Sequence, residues 1–133
     1  MRHATNQVIL LNAVAANGAS AAASGNVEQF TDIAFQVAMV GFTGTIKFVA
    51  SDADTAPDFG AAATAANPFD YIQVKDMQDN AGVNGNTGVT GTATTTLKNY
   101  ELNSDGKRWV GAIINGFAAG TITLKMKAYS LAQ

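Results

Sequence analysis

Residues 122–129 read Ile-Thr-Leu-Lys-Met-Lys-Ala-Tyr, and this stretch decides the fold class. Its apolar side chains fall on every second position, at Ile122, Leu124, Met126 and Ala128. Successive side chains of a β-strand point to opposite faces, so the alternation predicts a strand with one face in a core. A helix would place Lys125 beside the apolar residues and lose the pattern.

The same period of two recurs upstream. Residues 33–39 alternate large apolar side chains with Ala and Gln, and Ile46 and Phe48 alternate with polar neighbours. Residues 8–15 are apolar on both faces, which is typical of a strand buried between layers or covered by a neighbour. Further strands are predicted over residues 69–75, 92–102 and 108–114.

Short turn signals separate these segments, at Asn17-Gly18, residues 41–44 and Asn115-Gly116. Strands joined by short turns form antiparallel hairpins, and the last three predicted strands should form a meander. We therefore predict a single all-β domain over residues 1–133. Its fold class is an antiparallel β-sandwich, jelly-roll or Ig-like, of about eight strands.

Two longer loops interrupt the strands, at residues 52–67 and 80–91. The Ala-rich part of the first loop, residues 61–66, is compatible with a single helical turn. An internal echo also occurs, because residues 44–48 resemble residues 120–124 and each segment follows a Gly-Phe pair. Equivalent hairpins in the two sheets of a sandwich would produce this echo, and so would chance similarity between strand starts.

Charged residues are sparse. They make up 14% of the chain, against roughly 25% in an ordinary soluble protein, and the net charge is −2. This balance lacks the basic stripe of nucleic-acid-binding proteins. A neutral surface of Ala, Thr, Asn and Gly favours association, so we predict a homo-oligomer, with a trimer as the expected state. A monomer with a neutral polar surface is the alternative.

The N-terminal residues resemble a short secretory signal, with Arg2 before an apolar stretch. Asn12 interrupts that stretch, so we expect no signal peptide and interpret residues 1–7 as an N-terminal arm that reaches a neighbouring subunit. Residues 109–124 lack charge but are broken by Asn and Gly, so the sequence predicts no membrane span.

Candidate catalytic and metal-ligating residues are few. Cysteine is absent, which excludes thiolate zinc sites, and a nucleophile–base pair would need His3, the one histidine, or a buried lysine as its base. Asp52, Asp54 and Asp58 suggest a calcium loop, but proline and alanine stand where an EF-hand needs glycine and glutamate. A solvated acidic loop is the preferred interpretation, and a looser oxygen-ligand site is the alternative. We predict no enzyme activity, no catalytic residue, no cofactor and no metal.

Trp109 follows Arg108 at the start of a predicted strand. Tryptophan and arginine are enriched at interface hot spots, so an interface anchor is one interpretation. A core aromatic whose N–H is satisfied at a sheet edge is the preferred interpretation. Tyr71, Tyr100 and Tyr129 are the residues that would line a sugar-binding face.

Four segments in order, residues 10–18, 35–37, 44–48 and 120–124, resemble the small β-sandwich virion proteins of tailed bacteriophages. Such proteins decorate or cement capsids or form short fibres and adaptors. The resemblance implies a structural virion protein, most simply a capsid decoration or cement protein. It would stabilise the shell through contacts with its own copies and with the major capsid protein or another virion protein. Its implied location is the capsid surface, after synthesis in the host cytoplasm.

Two other functions stay open: a self-assembling tube, tail or fibre component, and a carbohydrate-binding module of a host-recognition appendage. Electron microscopy would separate the first from decoration, and a glycan array would test the second. The interface candidates lie at the chain start, in the acidic loop and near the predicted strand ends. They are Met1, Arg2, His3, Asp52, Asp54, Asp58, Phe59, Arg108, Trp109 and Tyr129.

Overall fold

A computed structural model describes residues 2–4, 7–23, 30–103 and 107–131. Within these ranges the chain forms nine strands that pair antiparallel in one sheet. The strands are β1 (Arg2–Ala4), β2 (Val8–Val14), β3 (Gly18–Ala19), β4 (Asp32–Ser51), β5 (Asp70–Tyr71), β6 (Val74–Asp76), β7 (Gly82–Val83), β8 (Val89–Asn103) and β9 (Trp109–Leu131).

Three long strands form the centre of the sheet. Its order is β1-β9-β4-β8-β6-β7, so β4 lies between β9 and β8, while β2 and β3 also pair with β9 and β5 pairs with β4. Ile33, for example, stands opposite Leu102 on β8 and Ala128 on β9. All three side chains are buried, as the period of two predicts.

Strand β4 folds back on itself. Its pairing with β8 shifts register around residues 40–44, where Gly41 has a φ of +55°. Phe35 before this bend and Phe48 after it stack with ring centroids 4.7 Å apart. The first half-sheet therefore contains residues 32–40 of β4, and the second half-sheet contains residues 44–51, with one core between them.

Strand β9 bends beside β4, at Gly116 and Gly120. An added Cβ at Gly120 would lie 2.3 Å from the carbonyl oxygen of Gly41, so the two backbones touch at the bend. Threonine hydroxyls supply acceptors here. Gly41 N–H donates to Thr95 Oγ1 (2.9 Å), and Ala93 N–H donates to Thr43 Oγ1 (2.8 Å).

The predicted all-β, antiparallel, sandwich-like fold is confirmed. The two halves of one bent, open sheet take the place of two separate sheets, because the long strands run through both halves. The largest fully buried side chains are Phe35, Phe42, Phe48, Ile33, Ile46, Ile114, Ile122, Leu124, Met126, Val37 and Val49.

Several local predictions are wrong. The last three predicted strands form no meander, because residues 109–114 and 122–129 belong to the single strand β9 and β4 separates it from β8. Residues 41–44 and Asn115-Gly116 are bends within strands, so the two Gly-Phe segments lie on neighbouring strands and begin no hairpins. Residues 61–66 form turns but no helical turn.

Nowhere in the described ranges is there a helix long and apolar enough to cross a membrane.

Candidate interaction surface

The outer face of the first half-sheet is accessible to solvent and carries mostly short, neutral side chains. Cross-strand register places Gln36 between Asn99 and Lys125, and Ala38 between Leu97 and Thr123. None of these side chains is buried. We call this surface the open face, and its residues are Ala34, Gln36, Ala38, Leu97, Asn99, Glu101, Thr123, Lys125 and Lys127.

The outer face of the second half-sheet is covered by the loop that follows β4. Phe59 is 3% exposed, packs edge-on against Phe69 at 5.2 Å between ring centroids, and lies over Gly111. Asn67 closes the loop, because its Oδ1 accepts the Asp58 N–H (2.8 Å) and its Nδ2 donates to the Asp58 carbonyl (2.9 Å). The chain itself thus occupies this face.

The three aspartates of the acidic loop do not converge on a common point. Asp54 Oδ1 lies 3.3 Å from Arg108 Nη1, whereas Asp58 Oδ1 accepts the N–H of Gly60 at 2.9 Å. Asp52 is exposed on the rim of a cleft. Across the described ranges, no group of three or more Asp, Glu, His or Cys side chains could hold a metal ion.

Four predicted interface residues, Asp54, Phe59, Arg108 and Trp109, lie around the start of β9 and the loop that follows β4. Trp109 Nε1 donates to the Ala53 carbonyl (2.8 Å), and the ring is half-buried. This geometry agrees with the interpretation of Trp109 as an aromatic satisfied at a sheet edge. Its role as an interface anchor stays a prediction.

Three further predicted interface residues, Arg2, His3 and Tyr129, lie near the far end of β9. Arg2 and His3 pair through their backbones with Leu131 and Ser130, while Met1 lies outside the described residues. The Tyr129 hydroxyl donates to the Glu101 carboxylate on β8. The proposed arm of residues 1–7 stays a prediction.

An ion pair joins β6 to β8. Lys98 Nζ lies 2.5 Å from Asp76 Oδ2, and the same carboxylate accepts the Gln78 N–H at 2.9 Å. The hydrogen bond from Lys98 and that from Gln78 hold the pKa of Asp76 below its ordinary value. The bond to Asp76 raises the pKa of Lys98. The nearby Tyr100 belongs to the core, and its burial raises the pKa of its hydroxyl.

A cleft of about 430 Å³ opens beside the end of β4. Phe69 and Ile72 are among its apolar lining residues, and Asp52, Asp70 and Lys107 supply charges. The Ser51 hydroxyl, also in the lining, is bonded to the Pro68 carbonyl at 2.6 Å. The cleft therefore combines charged and apolar lining residues, and the Ser51 hydroxyl is already bonded within the fold.

Four exposed apolar residues were not among the sequence predictions. They are Ile9, Val40, Met77 and Leu97, exposed by 54%, 61%, 44% and 62%. Residues 8–15 are apolar on both faces, and this pattern was the sequence signal that could have indicated an exposed Ile9 side chain. Strand β2 is neither between layers nor covered within the described part of the chain, and it lies at a sheet edge.

No family model and no curated protein matches this chain. Its fold resembles two solved structures. The SPBc2 prophage-derived protein YomS superposes with a TM-score of 0.71, covering 98% of this chain and 96% of that chain at 12% identity. The PBSX exported protein XepA superposes with a TM-score of 0.64 at 14% identity, covering 97% of this chain but 38% of that chain. At these identities the likeness concerns the fold.

Proposed function

We propose that this chain is a non-enzymatic structural protein of a phage particle, and that it decorates or cements the capsid as a small homo-oligomer. The observation that carries the proposal is the open face. A protein that coats a shell meets a repeating surface through many weak contacts, which multiply without a deep site. The short side chain of Ala38, between Leu97 and Thr123, permits close approach with little charge to desolvate. Ala34 stands between Glu101 and Lys127, so charge is present at that end of the face.

Two further observations support this proposal. The fold likeness to a prophage-derived protein extends over nearly the whole of both chains. The open face also has a charged margin, since Lys125 and Lys127 lie on β9 beside the neutral centre. The complementary surface on the shell is accordingly neutral at its centre, acidic near the two lysines and basic near Glu101.

The test uses particles of the phage that encodes the chain, separated into heads and tails. The decoration proposal expects a fixed number of copies on heads, measured by quantitative mass spectrometry. It also expects the wild-type protein to co-sediment with heads that have been stripped of it. Absence from purified particles overturns the structural role, and attachment to tails alone overturns decoration in favour of the tail component.

Paired variants locate the contact. Ala38→Arg places a long charged side chain at the centre of the open face and should weaken head binding at least tenfold. Ala118→Arg places the same side chain at the exposed bend of β9 and should leave binding unchanged. Equal binding by both variants would remove the open face from the proposal.

The carbohydrate-binding alternative has weaker geometric support. Tyr100 is 2% exposed and belongs to the core, so it cannot stack on a sugar. Tyr71 is engaged by Lys47, whose Nζ lies 5.0 Å from the ring centroid. Saturable binding on a glycan array would nevertheless restore this function.

A further inference from the structure

We propose that copies of this chain join side by side through their sheet edges, with β2 of one copy pairing with residues 92–97 of β8 in the next. The inference deepens the proposed function and rests on its self-association. It names the surfaces that meet and the relation between the copies.

Both edges lack a strand partner within the described residues. Strand β2 pairs with β9 on one side only. On β8, strand β6 reaches Tyr100 and Glu101, and the last bond on that side runs from the Met77 N–H to the Asn99 carbonyl. Residues 92–97 therefore have β4 on one side and an open edge on the other.

The hydrogen-bonding groups of this edge point outward. In an antiparallel strand, the N–H and C=O of one residue lie on the same side, and the side alternates along the chain. Since the Asn99 carbonyl points away from β4, the backbone groups of Leu97 point away as well. They can bond to an added strand without any loss from the ladder with β4.

Neither edge carries a charge or a proline against pairing, and the bulges near Ala13 in β2 and at Ala93 in β8 leave the regular segments around Ile9 and Leu97 able to pair. Exposed edges are commonly blocked by lysine, proline or inward charges. The sequences Val-Ile-Leu-Leu-Asn-Ala-Val of β2 and Thr-Ala-Thr-Thr-Thr-Leu of residues 92–97 contain none of these. Each edge instead exposes one large apolar side chain, Ile9 at 54% and Leu97 at 62%.

Strand direction makes a second copy the fitting occupant. The strands β2, β9, β4 and β8 are successive antiparallel neighbours, so β2 and β8 run in opposite directions. A copy placed laterally in the same orientation therefore brings its β2 antiparallel to β8. Ile9 shares a face with Lys125, and Leu97 shares that same face with Ala38 and Thr123, so the two apolar side chains meet on one continuous open face.

Such a contact joins two different patches and is heterologous. Repetition gives a ring if the rotation closes and a filament if it does not. The test compares Ile9→Glu and Leu97→Glu with the wild type, with Val40→Glu as the control. Val40 is 61% exposed at the bend of β4, which lies one strand inside the β8 edge, so its side chain is not on either pairing edge. Circular dichroism and thermal melting establish that each variant is folded.

Light-scattering mass should show an oligomer for the wild type and for Val40→Glu, and monomers for the two edge variants. In an equimolar mixture, the Ile9→Glu variant keeps an intact Leu97 edge and the Leu97→Glu variant keeps an intact Ile9 edge. These two intact edges can still pair with each other. The mixture should form a heterodimer of twice the 13.7 kDa chain mass and nothing larger.

An edge variant that keeps the wild-type mass overturns the inference, and so does a mixture that stays monomeric. A wild-type protein that is monomeric at every concentration removes self-association from the proposed function as well. Binding to phage heads is measured separately, so failure of the edge contact is distinguishable from failure of the structural role.

Discussion

The rings of Phe35 and Phe48 lie 4.7 Å apart, although both residues belong to strand β4. They are thirteen positions apart in the sequence, and a straight strand of that length would span about 43 Å. The contact exists because the strand reverses at its bend. One strand thereby contributes to both layers of the core, and the same pair reports whether the two half-sheets are closed on each other.

Truncation of this pair should be strongly destabilising. Phe35→Ala and Phe48→Ala each remove a ring from a fully buried site, so each should lower the free energy of unfolding by about 3–5 kcal/mol. In a double-mutant cycle the two changes should couple by about 0.5–1.5 kcal/mol, because the rings touch. Urea unfolding provides the measurement. Val40→Ala, at an exposed position, is the control, and strict additivity of the phenylalanine changes would contradict the closed arrangement.

The bend in β9 can be tested with two glycines that differ in one respect. Gly116 and Gly120 both have positive φ, +62° and +80°, so alanine at either should cost about 1–2 kcal/mol in backbone strain. A Cβ at Gly116 meets nothing within 4 Å, whereas one at Gly120 lies 2.3 Å from the Gly41 carbonyl. Gly120→Ala should therefore lower the melting temperature clearly more than Gly116→Ala. Equal losses would mean that the two strands are not in contact at the bend.

These glycines also explain why the sequence predicts the fold class better than the topology. Side-chain alternation depends on the local geometry of a strand, so residues 33–39 and 122–128 correctly indicate half-buried strands. A Gly-Phe pair permits both a hairpin turn and a bend within a strand. The choice depends on the contact between Gly41 and Gly120, which are far apart in sequence.

The candidate surfaces were predicted only in part, for a related reason. Strand direction and burial depend on which neighbours a strand receives. Leu97 follows a threonine-rich run, and nothing local distinguishes an outward leucine from a core one. Phe59 was among the predicted interface residues, yet its ring fills the space above Gly111 within the chain.

The ion pair between Asp76 and Lys98 should make stability depend on pH. The pKa of Asp76 is lowered from 3.8, so its contribution is present above 3.8 and is lost as pH falls through the lowered value in the folded state. The pKa of Lys98 is raised from 10.5, so its contribution is present below 10.5 and is lost as pH rises through the raised value. Asp76→Asn should thus destabilise the protein between these limits and have a diminishing effect in acid.

Chemical unfolding of the wild type and Asp76→Asn across the acid range measures this difference. Asp52→Asn, which changes an exposed carboxylate, is the matched control. The difference in unfolding free energy between this variant and the wild type should show no comparable decrease as the pH falls. A destabilisation by Asp76→Asn that stays constant into strong acid would assign the effect to packing.

Phe59 should hold the loop after β4 on the second half-sheet. Phe59→Ala removes the ring that lies over Gly111, so the loop should detach and expose Trp109, whose Nε1 is bonded to Ala53 in that loop. Trp109 is the sole tryptophan, so its emission should shift to longer wavelength and become more accessible to a soluble quencher while the protein is still folded. Phe117→Ala removes a half-buried ring at the bend of β9 and should lower stability without changing native emission. If Phe59→Ala leaves the native emission of Trp109 unchanged, the loop is held by other contacts, of which the hydrogen bonds between Asn67 and Asp58 are the next to test.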